Sequence, residues 1–414
     1  AWETLLSLGG RRTLAEALDA AITHAEDGVP VARSLAAAGE SLRDELAADE
    51  GTASLFLRQG APLREGEPLR QPALGRTLRA IAADGPAALY RGEVGARLLS
   101  RLRSLGSRLT PDDLAAHETE LARPVAGAFG GLEVLTAGPN SQGFVLLEIL
   151  AALEACGDGL DVGGAHAGVL ARLFALAASD RERLLADPRF VDVPLDELLS
   201  PERAAERARL ALGPREGSSA EPTRGASGDT VAVVAADGEG YAASLIQSVF
   251  FSFGALIADP ATGILVHNRG ATFSLDPASP NVLEGRKRPA HTLMPVLVRE
   301  GGRIVGVNGT MGGRAQPQIH THLLLAARAG AAPADAVRAP RWTVVALDDG
   351  GAGKVVAERD VAPAAVASIR AAGFDVETVG ELDEEVGHAQ AIRIDEAGFA
   401  AGSDPRADGT AVVA

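Results

Sequence analysis

The chain has 414 residues, of which 46% are hydrophobic and 23% are charged. This composition suits a folded protein with a large core and excludes a chain that is disordered throughout. With 39 basic and 55 acidic residues the formal net charge is −16, so most of the surface would repel a phosphate backbone. We therefore expect a small-molecule substrate and no nucleic-acid partner.

The first half of the chain is predicted to be mostly helical. Apolar residues recur three and four apart in the ranges 14–25, 34–47 and 74–83, which is the period of amphipathic helices. Residues 127–135 have the composition of a strand, and helices resume from Gln142. The range 214–228 is rich in Gly, Ser, Pro and charge, so it is predicted to be a flexible linker.

The second half is predicted to be rich in strands. Helices are expected at 316–327 and 364–372, whereas short β-branched and aromatic runs predict strands at 231–234, 241–246, 264–266, 293–299, 304–308, 343–346, 375–379 and 389–393. Strands and helices fall in blocks instead of alternating. This order favours an α+β sandwich over a doubly wound sheet.

Membrane, metal and cofactor sites are not predicted. Apolar runs are interrupted by charged residues or glycine, so no membrane span is expected. His320 and His322 lie two apart on a predicted helix and face different ways, and Cys156 is the single cysteine, so no metal site is predicted. The sequence lacks a phosphate-binding loop and a dinucleotide fingerprint, so no cofactor is expected.

The amino-terminal end leaves the localisation open. The sequence begins at Ala1 without a methionine or a signal-peptide pattern. We expect a fragment or a processed form of a protein that is cytoplasmic or exported.

Thr230 stands where the predicted linker ends and a strand begins. A threonine hydroxyl is a weak nucleophile near neutrality, but the first residue of a chain carries an α-amino group whose pKa is about 7.7–8.0 and which can act as its base. Cleavage between Asp229 and Thr230 would create that arrangement. A threonine at a strand start is common, so this position needs support from elsewhere.

A glycine-rich turn supplies that support. Residues 308–313, Asn-Gly-Thr-Met-Gly-Gly, follow a predicted strand and precede the helix from Gln316. Backbone N–H groups at a helix amino terminus can stabilise a developing oxyanion.

Several motifs together resemble one family over nearly the whole chain. In chain order they are Pro139 to Gly143, Asp187 to Phe190, Gly228 to Thr230, Ser252 to Gly254, Gly263 to Leu265, Lys287 to Pro289, Gly309 to Gly313 and Ser403 to Arg406. Their order is similar to that of the γ-glutamyltranspeptidases. The resemblance implies the N-terminal-nucleophile (Ntn) hydrolase fold, a four-layer αββα sandwich. It also implies self-cleavage into a helix-rich large subunit, 1–229, and a strand-rich small catalytic subunit, 230–414, that stay associated.

The resemblance assigns catalytic roles to four residues. Thr230 corresponds to the nucleophile and Ser248 to the second hydroxyl residue that hydrogen-bonds it. Gly312 and Gly313 correspond to the oxyanion-hole pair. The family's amino-terminal strands and its carboxylate-binding arginine have no counterpart in this sequence.

The substrate pocket departs from the family pattern. Phe250 stands where transpeptidases have an asparagine, and Arg269 and Thr272 stand where they have Gln or Glu and an Asp that binds the γ-glutamyl ammonium group. His291 and Thr292 replace a Ser-Ser pair. Arg269 indicates either an anionic group on the substrate or a structural ion pair. Asn268-Arg269-Gly270 resembles the acylase-like branch. These pocket residues are the predicted substrate-binding set: Asn268, Arg269, Thr272, His291 and Thr292.

Three functions remain open from the sequence. The first is transfer of a γ-glutamyl group from a glutathione-like amide donor to water or an amino-acid acceptor through a Thr230 ester. The second is an acylase of the same mechanism that acts on glutaryl-type or other amides. The third is a catalytically impaired binding protein on the same fold. Donor, acceptor and oligomeric state are not determined.

Overall fold

The structure is a computed structural model that describes residues 1–213, 229–347 and 353–413. The predicted linker, 214–228, lies outside the described residues. Among the described helices, none has both the length and the hydropathy needed to cross a lipid bilayer.

The described helices are, in chain order, α1 Trp2–Ser7, α2 Leu14–Asp27, α3 Arg33–Ser41, α4 Arg43–Ala48, α5 Glu50–Phe56, α6 Pro72–Asp84, α7 Ala87–Tyr90, α8 Glu93–Ser104, α9 Pro111–Ala115, α10 Gly143–Ala155, α11 Ala167–Leu184, α12 Leu195–Leu198, α13 Pro201–Leu212, α14 Gln316–Arg328, α15 Pro333–Arg338 and α16 Pro363–Ala371. Short 3₁₀ turns occur at Arg269–Thr272, Gly313–Ala315 and Glu384–Val386.

The described strands are β1 Val29–Pro30, β2 Leu57–Arg58, β3 Ala61–Pro62, β4 Pro68–Leu69, β5 Val125–Phe129, β6 Leu132–Thr136, β7 Asp229–Ala236, β8 Ala242–Phe250, β9 Ala258–Asp259, β10 Ile264–Leu265, β11 Val296–Glu300, β12 Arg303–Met311, β13 Trp342–Leu347, β14 Gly353–Glu358, β15 Phe374–Val379, β16 His388–Asp395 and β17 Gly398–Ser403. Each predicted strand of the second half overlaps one of these strands. The helix-rich and strand-rich halves are therefore confirmed.

The chain forms two units, and the boundary between them differs from the predicted subunit boundary. The first unit comprises Ala1–Leu121 and Phe251–Asn268, and the second comprises Ala122–Phe250 and Arg269–Ala414. Residues from both predicted subunits thus share each unit. The predicted division at Thr230 is a cleavage within one folded unit, and it stays a prediction.

In the first unit, helices α2 and α6 pack through Leu18, Ile22 and Leu78. The helix predicted at 34–47 is wrong in its continuity, because α3 ends and α4 begins at Leu42, whose φ of −118° and ψ of 26° are not helical. An apolar period does not reveal such a break, since the same face is buried on both sides of it.

The second unit is built on a six-stranded antiparallel sheet in the order β17-β16-β12-β11-β6-β5. The single strand predicted at 127–135 is wrong, because β5 and β6 form a hairpin around Gly130 and Gly131. Both glycines have positive φ, 61° and 80°, which suits a tight two-residue turn. A three-stranded sheet, β13-β14-β15, lies in the same unit.

Strand β12 places different layers on its two faces. A Cβ on Gly309 would lie 3.1 Å from the Ala232 Cβ of hairpin β7–β8. On the opposite face, Thr310 Oγ1 lies 3.1 Å from His320 Nε2 on α14. Because successive strand residues face opposite ways, the sheet separates the hairpin from the helix layer.

Helices α10, α11 and α13 enclose a buried charged cluster. Asp180 is fully buried and pairs with Arg183, Arg203 and Arg207. Glu148 is 4% exposed. Burial, together with the nearby Asp180 charge, raises the pKa of Glu148 to about 9. Glu148 is therefore protonated at neutral pH.

We expect Glu148→Gln to stabilise the protein increasingly as the pH rises. A carboxyl whose pKa is higher in the folded chain binds its proton more tightly there, so the wild-type free energy of unfolding falls as pH rises from 4.5 towards about 9. Between about pH 5 and 9 the wild-type free energy of unfolding should fall by on the order of 5 kcal/mol relative to that of Glu148→Gln, because the amide does not ionise. Denaturant unfolding at three pH values measures the difference. Exposed Glu154→Gln on the same helix is the control, and parallel curves for wild type and Glu148→Gln would contradict the prediction.

Candidate active site

Thr230 and Ser248 face each other across the β7–β8 hairpin. They are register partners, and Thr230 is 8% exposed. The Thr230 hydroxyl donates a hydrogen bond to Ser248 Oγ over 2.8 Å. The Phe250 N–H donates to the same oxygen over 2.9 Å. These two bonds hold the Thr230 hydroxyl in one orientation.

The predicted scissile peptide lies at a β-bulge. Asp229 pairs with Phe250 but Thr230 pairs with Ser248, so one extra residue of β8 is accommodated at this point. Phe250 has a φ of +82°, a left-handed conformation that asparagine adopts more readily than phenylalanine. Local backbone strain therefore occurs directly opposite Asp229.

The Gly312–Gly313 turn follows β12 and leads into α14, as the sequence predicted. Gly313 has a φ of +54°, and Gly313–Ala315 forms a 3₁₀ turn before the helix begins at Gln316. A Cβ on Gly312 would lie 2.4 Å from Ile319 Cδ1. A larger residue at 312 would therefore need the Ile319 side chain on α14 to shift.

Arg269 lies over the ring of Phe250. Its guanidinium carbon is 4.1 Å from the ring centroid, and Nη1 donates to Thr292 Oγ1 over 3.3 Å. Burial, with a smaller contribution from Arg181, lowers the pKa of Arg269 to about 10. Arg269 stays charged at neutral pH, and an anion beside it would be stabilised.

Thr272 and Asn268 use their side chains to hold the local backbone. The Thr272 hydroxyl bonds the carbonyl oxygens of Arg269 and Ala290, at 2.9 and 2.8 Å. Asn268 lies in the first unit, where its Oδ1 accepts from the Phe251 N–H over 3.0 Å. Their predicted substrate contacts remain predictions.

Beside Arg269, Thr292 is buried and His291 is half-buried. The His291 Nδ1 accepts a hydrogen bond from the Leu293 N–H over 3.2 Å. Burial lowers the pKa of His291 to about 3, with further contributions from Arg269, Arg288 and Arg181. His291 is thus neutral at physiological pH. Thr292 is 2% exposed, and its hydroxyl accepts from Arg269.

Gln142 and Arg181 are components that the sequence did not assign. Gln142 Nε2 donates to the Thr292 carbonyl at 3.1 Å and to the Gly313 carbonyl at 2.9 Å. Arg181 Nε donates to Gln142 Oε1 over 2.8 Å. The sequence signal for Gln142 was the motif Pro139 to Gly143, which forms part of the family resemblance but received no functional role from it.

Two other sequence landmarks form structural charge clusters. Asp187 accepts hydrogen bonds from Arg189 and Arg288; although burial opposes ionisation, these bonds hold its pKa below the usual range. Arg341 and Arg406 both pair with Asp404 in the core. Neither cluster contacts Thr230 through a described hydrogen bond.

The histidines on α14 have separate partners. His320 Nε2 lies 3.1 Å from Thr310 Oγ1, and His322 Nε2 lies 2.9 Å from the Trp342 carbonyl. Over the described residues, no group of His, Cys, Asp and Glu side chains is arranged to hold a metal ion.

Comparison with known proteins identifies the family. The model of the Gamma-glutamyltranspeptidase family matches residues 1–414. The chain belongs to this family. Its members are acyl-transferring hydrolases with the Ntn fold, so the predicted fold class is confirmed.

Similar proteins are named either as glutathione hydrolases or as hydrolases of other amides. The glutathione hydrolase-like YwrD proenzyme of Bacillus subtilis (strain 168) is 36% identical over 99% of this chain and 78% of its own length. The oxamate amidohydrolase proenzyme of Klebsiella pneumoniae subsp. pneumoniae is 36% identical over 96% of this chain and 75% of its own length. The crystal structure of cephalosporin acylase from Bacillus halodurans, 29% identical, has a TM-score of 0.87 and covers 99% of this chain and 76% of that chain.

Proposed function

We propose that the protein is a threonine amidohydrolase that cuts itself between Asp229 and Thr230 and then transfers acyl groups from amide donors. The observation that carries this proposal is the 2.8 Å hydrogen bond from Thr230 to Ser248. A buried hydroxyl held in this way beside a bulged peptide suits both steps. The retained pair also argues against the alternative of a non-catalytic binding protein.

Self-cleavage begins with the Thr230 hydroxyl. Its oxygen attacks the carbonyl carbon of Asp229, the amide C–N bond breaks, and the hydroxyl proton ends on the departing nitrogen. Water then hydrolyses the resulting ester. The products are a free carboxylate on Asp229, a restored hydroxyl, and a new α-amino group on Thr230. The pieces 1–229 and 230–414 stay associated as subunits.

Turnover uses the new amino terminus. The α-amino group takes the hydroxyl proton as Thr230 Oγ1 attacks the donor carbonyl, and it returns the proton to the leaving amine. The N–H groups of Gly312 and Gly313 stabilise the tetrahedral oxyanion. Water, or an amine such as an amino acid, then attacks the acyl ester and releases the enzyme. No metal or cofactor takes part in this scheme.

We propose that the acyl group of the donor carries a negative charge and that its recognition does not require an ammonium group. Arg269 is charged and lies beside Thr292, and Arg181 adds to the positive field that lowers its pKa. His291, whose pKa is lowered to about 3, stays neutral and adds no further charge to this field. The likeness to a protein named oxamate amidohydrolase supports an anionic amide. Glutaryl-type amides fit this description.

A γ-glutamyl donor such as glutathione is the second candidate. The observation that favours it is the likeness to a glutathione hydrolase-like proenzyme over 99% of this chain. Its carboxylate can bind Arg269, but its ammonium group would find Thr272 where other members place Asp and would approach the Arg269 cation.

The purified protein is expected to separate into two pieces on a denaturing gel. Amino-terminal sequencing of the smaller piece should begin at Thr230, and release of the amine from a glutaryl amide should accompany the cut form. A smaller piece that begins at another residue would show that the nucleophile is assigned wrongly. Cleavage at Thr230 without turnover of either donor class would refute the amidohydrolase assignment alone.

A further inference from the structure

The Gln142 side chain connects parts of the active site that are distant in sequence. It is fully buried and lies in the loop before α10. Arginine can only donate, so the bond from Arg181 Nε identifies the amide oxygen of Gln142. Both hydrogens of Nε2 are then used by the carbonyls of Thr292 and Gly313. The described contacts use both amide donors and the amide oxygen.

The hydrogen bond from Gln142 to Gly313 restrains a turn that is not held by packing around the Gly313 Cα. A Cβ placed on Gly313 would meet no atom within 4 Å. The Gly313 carbonyl accepts from the Gln316 N–H and from Gln142 Nε2 over 2.9 Å. These bonds limit rotation about the Gly313 dihedral angles. Loss of one of them frees the Gly313–Arg314 peptide, which adjoins the Gly312–Gly313 peptide that carries a proposed oxyanion donor, the Gly313 N–H.

The bond to Thr292 ties the same amide to the proposed anion site. The Thr292 carbonyl accepts from Gln142, and the Thr292 hydroxyl accepts from Arg269. One side chain thus spans the turn that stabilises the oxyanion and the residues that bind the donor's carboxylate. The distance between these two groups determines where the scissile carbonyl lies relative to Thr230.

A series of charged side chains supports Gln142 on the side of its amide oxygen. Arg181 pairs with Glu182, and Glu182 also lies 3.1 Å from Arg314, the residue after Gly313. The turn is therefore held through its Gly313 carbonyl and through the neighbouring side chain.

We propose that Gln142 is a positioning residue, which sets the Gly312–Gly313 turn against Thr292 and acts on the reaction through that turn. This inference rests on the proposed function for its kinetic consequence but not for its structural one. Gln142 itself is not proposed to touch the donor.

Gln142→Glu tests the proposal with a nearly isosteric change. The introduced carboxylate can still accept from Arg181, but it faces the Thr292 and Gly313 carbonyls with oxygen instead of N–H groups. We expect kcat of the cleaved enzyme to fall about 10- to 50-fold, less than the loss of a whole oxyanion donor. As the pH falls, protonation restores one O–H donor, so the ratio of variant to wild-type kcat should rise.

Gln318→Glu is the matched control. Gln318 is 6% exposed, and its amide exchanges two hydrogen bonds with the Val344 backbone. The same chemical change there should cost stability without a pH-dependent loss of kcat. Gln142→Met, which removes the donors without adding charge, serves if the carboxylate variant does not fold.

Hydrogen exchange separates this proposal from the proposed function. On the uncleavable Thr230→Ala background, Gln142→Glu or Gln142→Met should speed amide exchange in residues 311–316 at least about 10-fold, and Gln318→Glu should not. Unchanged protection of 311–316 would overturn the positioning role even if the protein never turned over an amide. Faster exchange with an unchanged kcat in an active enzyme would overturn it as well.

Discussion

Thr230→Ala is expected to leave the protein as one uncut chain and to abolish amide turnover. The substitution removes the single oxygen that is proposed first to attack Asp229 and later to carry the acyl group. Ser248, although within hydrogen-bonding distance, does not become an amino-terminal residue and has no α-amino base. Losses of about 10⁴-fold or more are typical when a catalytic nucleophile is removed. Intact mass spectrometry and the rate of amine release measure the two effects.

Two further threonine variants make this result specific. Thr321→Ala removes a buried hydroxyl that donates to the Pro317 carbonyl over 2.8 Å, so it tests the general cost of losing such a group and should still be cut. Thr230→Ser keeps the hydroxyl and should be cut slowly. Cleavage of Thr230→Ala at the same peptide would refute the proposed nucleophile.

Arg269→Met is expected to lower kcat/KM for a glutaryl amide at least about 100-fold. At an effective dielectric of about 20, unit charges about 4 Å apart interact by roughly 4 kcal/mol, and solvent screening reduces this figure. A 100-fold change corresponds to about 2.7 kcal/mol. A γ-glutamyl amide also carries an ammonium group that Arg269 repels, so its kcat/KM should fall less. The wild-type enzyme should cleave the glutaryl amide at least as well as the γ-glutamyl amide.

Paired donors with the same leaving amine measure this preference, and Arg299→Met is the control. Arg299 pairs with Glu133 at the surface, so its loss should leave donor preference unchanged. A wild-type preference of 100-fold or more for the γ-glutamyl amide would contradict the proposed donor and indicate ordinary transpeptidase specificity. Thr272→Asp is a less direct test, because the Thr272 hydroxyl supports the Arg269 and Ala290 carbonyls.

Local patterns in the sequence determined the elements that surround the nucleophile. Thr230 at the start of a strand and the Gly312–Gly313 turn between a strand and a helix were both predicted from neighbouring residues, and the structure has those elements. Register across the β7–β8 hairpin then places Ser248 opposite Thr230. Such features depend on side chains only a few residues apart or on one short connection, which periodicity and turn chemistry can indicate.

The tertiary structure alone decided which polar groups converge on the site. Gln142 bonds partners 150 and 171 residues away, and no local pattern encodes a contact of that separation. The conformation of Phe250 and the use of Thr272 by backbone carbonyls likewise depend on the bulge and on the turn at Arg269. A buried amide takes its role from the donors and acceptors that folding brings to it. The sequence therefore indicated the proposed nucleophile, whereas the fold determined which contacts hold the turn and the proposed anion site in place.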